Sequence, residues 1–403
     1  MANGTSWPTV GDLEFEFLLD VLASRLFPER PFPDPPNNLD WERLFRILQQ
    51  NRLAAYFYSF GKRILTCWPT SFRSELRQEH YRYLIYGDQC AVQVRKCLAA
   101  LRYSGINVIV LKGWAFIHTL YGGDTSQRFC EDIDILVHPE NAQAAEEILQ
   151  EIGFQGTEEY WPGYRRRYRN ARAFISLKQL GSFGDMFSIG LHWGLLQIPA
   201  YSSHFIDNRS LFESARQIRV EGVDVLELAA EDEIVYACAH DWLHHRNDSV
   251  LLRYFEIAAL VMKSYQTLNW EMVLKRARAW KVVLPMQNIL LTTDHLWPDI
   301  IPSLARKQLM DVKPTTSEYF IDRWITLTKS KLAYTQILHW VTLPGIYNRF
   351  RYVYENIIPS PDYMRLHYGE EPSGVWSRLY LKRFTHFFLY LLEKIYQKLR
   401  SHV

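Results

Sequence analysis

The sequence is poor in cysteine: Cys67, Cys90, Cys97, Cys130 and Cys238 are five in 403 residues, and none forms a Cys-x-x-C pair. An odd, scattered set excludes a disulfide scaffold and a zinc ribbon, and predicts a reducing, cytoplasmic setting. The chain also lacks an excess of either charge. Lysine and arginine total 46 against 44 acids, a formal net charge of +2. That balance speaks against a surface dedicated to duplex nucleic acid. No apolar run approaches the ~18 residues a membrane span needs, so no transmembrane segment is expected. The opening stretch, MANGTSWPTVGDLEFEF, has no basic segment leading into an apolar one, and predicts no signal peptide. There is no internal repeat. What is present is core material: 48% hydrophobic and 15% aromatic residues, enough for two or three domains of roughly 150 residues each.

The pattern along the chain is helix, then mixed, then helix. Helical spacing over Asp12–Phe27, about 41–60 and about 74–103 fills the first hundred residues, interrupted by the proline-rich PERPFPDPPNN. Gly105 is placed as a left-handed helix cap. Asn107-Val-Ile-Val-Leu111 is then a buried-strand run, with a helical stretch from Lys112-Gly113 to Tyr121. Asp132-Ile-Asp-Ile-Leu-Val137 alternates like a strand, Asn141–Ile152 reads as a helix, and strands are expected near 168–177 and 186–193. Helical patterns return at 231–246, 250–264, 270–281 and 285–297, and over most of 315–403. The expected division is a helical region at 1–104, a sheet core at 105–228, a helical domain packed on the site at 229–310 and a C-terminal helical region at 311–403. The fold class is α+β.

Chemistry concentrates in Val110-Leu-Lys-Gly113 and Arg128-Phe-Cys-Glu-Asp-Ile-Asp-Ile-Leu-Val137. Residues two apart on a strand share a face, so Asp132 and Asp134 project together. Paired carboxylates repel unless a cation lies between them, and hard oxygen ligands suit Mg²⁺. Gly113, directly after a strand, lets backbone amides approach an anion, and Lys112 adds charge for a phosphate. These are the needs of phosphoryl or nucleotidyl transfer.

These segments resemble the uncharacterised bacterial nucleotidyltransferases of the DNA polymerase β-like superfamily. The likeness rests on Leu111-Lys112-Gly113, Leu120-Tyr121-Gly122, Arg128 and Asp132 to Val137. It continues in Leu191-His192-Trp193, in Glu231-Asp232-Glu233 with His240 and His244, and in Arg253 to Ala258. It covers about residues 70–300. The resemblance implies a small polymerase β-like sheet embedded in helices. It implies Asp132 and Asp134 as catalytic Mg²⁺ ligands, with Lys112, Gly113 and Arg128 binding the nucleotide. The reaction implied moves a nucleoside monophosphate from an NTP, with ATP the expected donor, to an acceptor: a small molecule, sugar, peptide or protein. Asp185, His192, His240 and Arg253 are expected to support the acceptor side. One departure stands out. Superfamily members carry a third carboxylate where this chain has Gly190, which leaves room for a short side chain there; Asp185 is the substitute if the strand bulges. The alternative function is therefore a catalytically degenerate module that binds nucleotide or protein.

Three further features are weighed lower. Tyr164–Arg172 packs five arginines into nine residues and is favoured as a solvated edge strand over a phosphate contact. His240 and His244 share a helix face, and a structural role is favoured over a metal site. The tail, 375–403, is a basic amphipathic helix; packing on its own domain is favoured over membrane or partner contact.

Overall fold

The computed structural model of the chain describes residues 11–60, 68–156, 174–180, 186–196, 206–245, 250–328, 337–338, 340–343, 345–358, 364, 380–383 and 385. Four helices lead: α1 (Leu13–Leu26), α2 (Trp41–Gln50), α3 (Ala54–Ser59) and α4 (Thr70–Tyr103). Aspartates start the first two. The Asp12 side chain accepts from the Phe15 amide at 3.2 Å and Asp40 from Arg43 at 2.9 Å, each satisfying an amide the helix cannot. The single helix expected at 41–60 is two. Asn51 ends α2 by donating to the Ile47 carbonyl, while its Oδ1 accepts from the Leu251 amide, both at 2.9 Å. Arg52 follows at φ 59 and turns the chain into α3. One buried amide side chain thus breaks one helix and caps another 200 residues on.

Helix α4 ends as its glycine predicts. Gly105 lies at φ 74, its amide bonds the Arg102 carbonyl, and the Ile106 amide bonds Leu101. This double closure satisfies the last carbonyls and drops the chain into the sheet. Strand β1 (Ile109–Leu111) is fully buried and precedes α5 (Gly113–Thr119). Then come β2 (Asp132–Leu136), α6 (Ala142–Glu151), β3 (Gln155–Gly156), β4 (Phe174–Leu180) and β5 (Met186–His192). The strand expected near 168–177 falls at 174–180; the arginine-rich Tyr164–Arg172 and Asp185 lie outside the described residues. After α7 (Asn208–Ser214) the chain forms a hairpin, β6 (Arg216–Val220) and β7 (Val223–Glu227), which the periodicity analysis did not single out. Its turn, Glu221-Gly222, has φ of 48 and 79, the two positive values that a two-residue hairpin needs.

The seven strands lie in the order β3-β4-β5-β2-β1-β7-β6. Strand β2 pairs antiparallel with β1 and parallel with β5, so the carboxylate-bearing strand is near the centre. Helices α8 (Ala230–His245), α9 (Leu251–Lys263), α10 (Trp270–Trp280) and α11 (Val283–Leu296) follow at their expected positions. Then come α12 (Ser303–Asp311), α13 (Thr316–Thr328) and α14 (Ile346–Ile357). Helix α8 packs on α9, α10 and α11. Almost all of the 375–403 tail lies outside the described residues. The arrangement is α+β, a mixed sheet with helices, as the pattern predicts. No helix among the described residues is long and apolar enough to cross a membrane.

Gly87 tests how α4 meets the loop before β2. A Cβ there would lie 2.5 Å from the Thr125 Cβ. In an open helix, alanine would be better than glycine by roughly 0.5–1 kcal/mol. Here the contact reverses the sign: Gly87→Ala should destabilise by about 1–3 kcal/mol in urea denaturation. A gain in stability would mean the Thr125 loop yields freely.

Candidate active site

Strand β2 alternates as its sequence predicts. Ile133 and Ile135 are completely buried on one face, and Asp132 and Asp134 project from the other. Its parallel register with β5 sets Asp132 beside Ser188 and Asp134 beside Gly190. The antiparallel register with β1 sets Asp134 beside Leu111, so Lys112 leaves β1 next to the carboxylates. Lys112 takes φ 48 and ψ −132, a conformation costly for any side-chain-bearing residue. From there its Nζ lies 2.9 Å from Asp134 Oδ2 and 2.8 Å from His240 Nε2, beneath the Tyr236 ring at 5.8 Å. Helix α8 supplies Tyr236 and His240; the sheet supplies the rest.

The charges settle unequally. Burial would raise the pKa of Asp134, but Lys112 and His192 outweigh it and hold that carboxyl well below the usual range. For Asp132, burial and then the neighbouring Asp134 push the pKa up, although Lys112 and Arg128 pull against them. Burial would lower the Lys112 pKa; Asp134, Tyr236 and Asp132 together raise it. His240 is held well below its ordinary value, by burial first and the Lys112 ammonium second, so a neutral ring accepts the lysine proton. His244 is pushed down to about 3, again mainly by burial. The ion pairs of the cleft go to Asp134 (Lys112), Asp241 (Arg253) and Glu256 (Arg128), which leaves Glu131 and Asp132 as lining carboxylates outside those pairs.

Arg128 is used by the fold. Its Nε donates to Glu256 Oε1 at 2.9 Å, its Nη2 to Oε2 at 3.3 Å and its Nη1 to the Phe129 carbonyl at 2.7 Å. Tyr121 donates to the same Glu256 at 3.2 Å. The loop before β2 is thereby fastened to α9. Gly113 has a packing reason too: a Cβ would sit 2.4 Å from Cys130 Sγ. His192 reaches Asp134 Oδ1 with Nε2 at 2.9 Å from behind the sheet end.

Gly190 corrects an expectation. The register does put it beside Asp134, but a Cβ would lie 2.1 Å from Asp134 Oδ1 and 3.1 Å from His192 Nε2. The Asp134 carboxylate itself fills the space, so there is no room for a third acid. Among the described residues no cluster of three or more His, Cys, Asp or Glu is arranged to hold a metal. The donor set reaches two carboxylates. It fits one divalent cation: Asp132 carries an unmatched charge, and a cation, the Lys112 ammonium, already rests on Asp134.

A cleft of about 340 Å³ joins these groups. Its lining includes Lys112, Gly113, Arg128, Asp132, Asp134, His240 and Arg253, seven of the residues singled out in the sequence. His192 stands behind it, and Asp185 lies outside the described residues. Arg52, Ser188 and Glu256 also line it without having been assigned a role. Arg52 sits at the break between α2 and α3, for which helical periodicity gives no signal. Ser188 follows only from the strand register. The one legible hint for Glu256 was its place inside the Arg253–Ala258 segment.

Two substitutions test this geometry. Removing one partner of a buried pair leaves the other charge stranded, so Glu256→Ala should cost about 3–5 kcal/mol, and Arg128→Met with Glu256→Leu much less. Chemical denaturation of Arg128→Met, Glu256→Leu and their double checks the coupling; additive losses would show the pair is not coupled. Gly190→Ala should also destabilise and should change the NMR signals of His192, because Asp134 must leave the ring. An unchanged His192 spectrum would contradict the packing.

Residues 37–298 match the model of a family described as uncharacterised nucleotidyltransferase. No curated protein matches the chain. The chain is similar to an antigenic nucleotidyltransferase-like protein from Paracoccidioides brasiliensis, known as a crystal structure. The identity is 14% and the TM-score 0.34, over 58% of this chain and 97% of that one, too slight a likeness to carry argument. The family match, by contrast, takes in well over half of the sequence together with every residue that lines the cleft, and the chain belongs to the uncharacterised nucleotidyltransferase family.

Proposed function

We propose that the cleft binds an NTP, with ATP the expected donor, and transfers its nucleoside monophosphate to an acceptor hydroxyl or similar group. The observation that carries this reading is the pair Asp132–Asp134 facing Lys112 across one cleft, in a chain of nucleotidyltransferase kinship. The acceptor oxygen forms a bond to the α-phosphorus, the bond from that phosphorus to the departing pyrophosphate breaks, and the acceptor proton passes to solvent water. Lys112, Arg253 and Arg52 lend positive charge to a triphosphate in a cleft of suitable size. Gly113, the first residue of α5, lines the same space. Arg128 is a positioning group, since its donors hold α9 against the β2 loop. A single Mg²⁺ held by Asp132 and Asp134 would neutralise phosphate oxygens and polarise the phosphorus. Neutral His240 keeps the Lys112 ammonium oriented. The acceptor class is small molecule, sugar, peptide or protein, and the setting a reducing cytoplasm, in keeping with the buried cysteines Cys90, Cys97, Cys130 and Cys238.

One observation favours a second reading. With the space at Gly190 filled by Asp134, residue 190 offers no third acid for a second metal that would activate the acceptor. A module that binds nucleotide without transferring it would have this site. Calorimetry and pyrophosphate release separate the two. Replacing both carboxylates, Asp132→Asn with Asp134→Asn, should weaken Mg²⁺-dependent NTP binding by about 10–100-fold. Equal affinity in wild type and variant would overturn the nucleotide site. NTP binding with no pyrophosphate release across a panel of acceptors would favour the module.

A further inference from the structure

Lys112 stands where a cation would. Its ammonium is 2.9 Å from Asp134 Oδ2, and His192 occupies the other oxygen, Oδ1, at the same distance. The carboxylate between them fills the space beside Gly190. Nor does Lys112 arrive by chance. Its backbone is held at φ 48 and ψ −132, a region a lysine adopts only under constraint, and His240 accepts a second proton from Nζ at 2.8 Å. Asp132, beside this cluster, has no ammonium or guanidinium of its own.

We infer that Lys112 is a built-in competitor of the divalent cation at Asp134, so that the cation enters only together with the nucleotide. This rests on the nucleotide-binding reading above. The physical reason is that an ammonium and a divalent cation cannot share Oδ2: each needs contact distance, and each repels the other. A triphosphate carries several negative charges against the single one of Asp134, and it draws the ammonium toward itself. Asp134 Oδ2 then opens to the metal alongside Asp132. A ligand that binds only the open arrangement has its apparent affinity reduced by the fraction of time the site spends open. Nucleotide and cation must then assist each other equally, as linkage requires. The device keeps the metal off the carboxylates until there is a phosphate for it to act on.

The test uses the full chain and Mn²⁺ alone, titrated by electron paramagnetic resonance without nucleotide. Lys112→Met should bind Mn²⁺ at least about tenfold more tightly than wild type, the gain expected if the site is open for a tenth of the time or less. Lys112→Arg should restore weak binding. Arg52→Met removes one positive charge from the same cleft without touching Asp134, and should raise the affinity far less than Lys112→Met does. Equal Mn²⁺ affinity in wild type and Lys112→Met, or the same gain from Arg52→Met, overturns the competition. If Lys112→Met does not fold, the wild type still decides. Mn²⁺ should broaden the NMR signals of His192 and His240 only when a non-hydrolysable ATP analogue is present. Broadening without the analogue overturns the inference, and so does its absence with the analogue bound. Failure of the analogue to bind at all would instead remove the nucleotide-binding reading, while the comparison of variants by Mn²⁺ alone would still stand or fall independently.

Discussion

A carboxylate in the middle of a sheet has to be neutralised, and the way Asp134 is neutralised fixes much of this molecule. It lies between Lys112 at the end of β1 and His192 at the end of β5, each 2.9 Å away. That requires β2 to sit between those two strands, in the observed antiparallel and parallel registers. A one-residue slip on either side would turn Asp134 into the apolar layer that Ile133 and Ile135 fill. A buried carboxylate left alone there would be far more costly than the loss of any single strand pair. The absence of a side chain at residue 190 belongs to the same constraint, because the carboxylate needs that volume.

The helical layer follows from the same charges. Lys112 has a second acceptor in His240, which ties α8 over the sheet, and Arg128 has Glu256, which ties α9 to the loop before β2. Tyr121 shares that glutamate. Lys112 and Arg128 are therefore each answered by a helix that is distant in sequence. Helix α9 is itself fixed at its start by Asn51, from the N-terminal helices. The elements that wall the cleft share one apolar core, and the polar contacts fix where their charged side chains stand within it. Polar contacts of this kind have short range and strict geometry, which suits a site that must hold oxygen atoms in place.

The central strands and the helices on both sides were legible in the sequence, because hydrophobic periodicity reports burial and burial is what those elements share. Asp132 and Asp134 were legible because a polar–apolar alternation on a buried strand needs explaining. The β6–β7 hairpin was there to be read in Arg216–Glu227, whose Glu-Gly turn is flanked by alternating residues. The break at Asn51–Arg52 was not legible, since it depends on a backbone amide 200 residues away. Room at Gly190 was misjudged for a related reason. A glycine on a strand reads as open space, and only the position of the neighbouring carboxylate shows that the space is taken. The role of Arg128 belongs with these. Its type suggested a phosphate contact, but three of its donors are spent on Glu256 and the Phe129 carbonyl.

The loss of an acid at residue 190 and the placement of Lys112 are two sides of one arrangement. With a carboxylate at 190, Asp134 would be pressed out toward the cleft, and a second negative charge would stand beside it. The lysine would then face two acids, and a pair of divalent cations would compete with it strongly. With glycine, Asp134 withdraws against His192, and one ammonium balances it. The resting cleft is thereby nearly neutral, apart from the surplus on Asp132, whose pKa is raised by burial and by Asp134. Charge that is balanced internally can be released only to a ligand that supplies more of the opposite sign. A polyphosphate does so, whereas a neutral sugar or a peptide does not. On the proposed function, the electrostatics of the cleft would select the donor nucleotide first and leave the acceptor to be chosen by surfaces further from the strands.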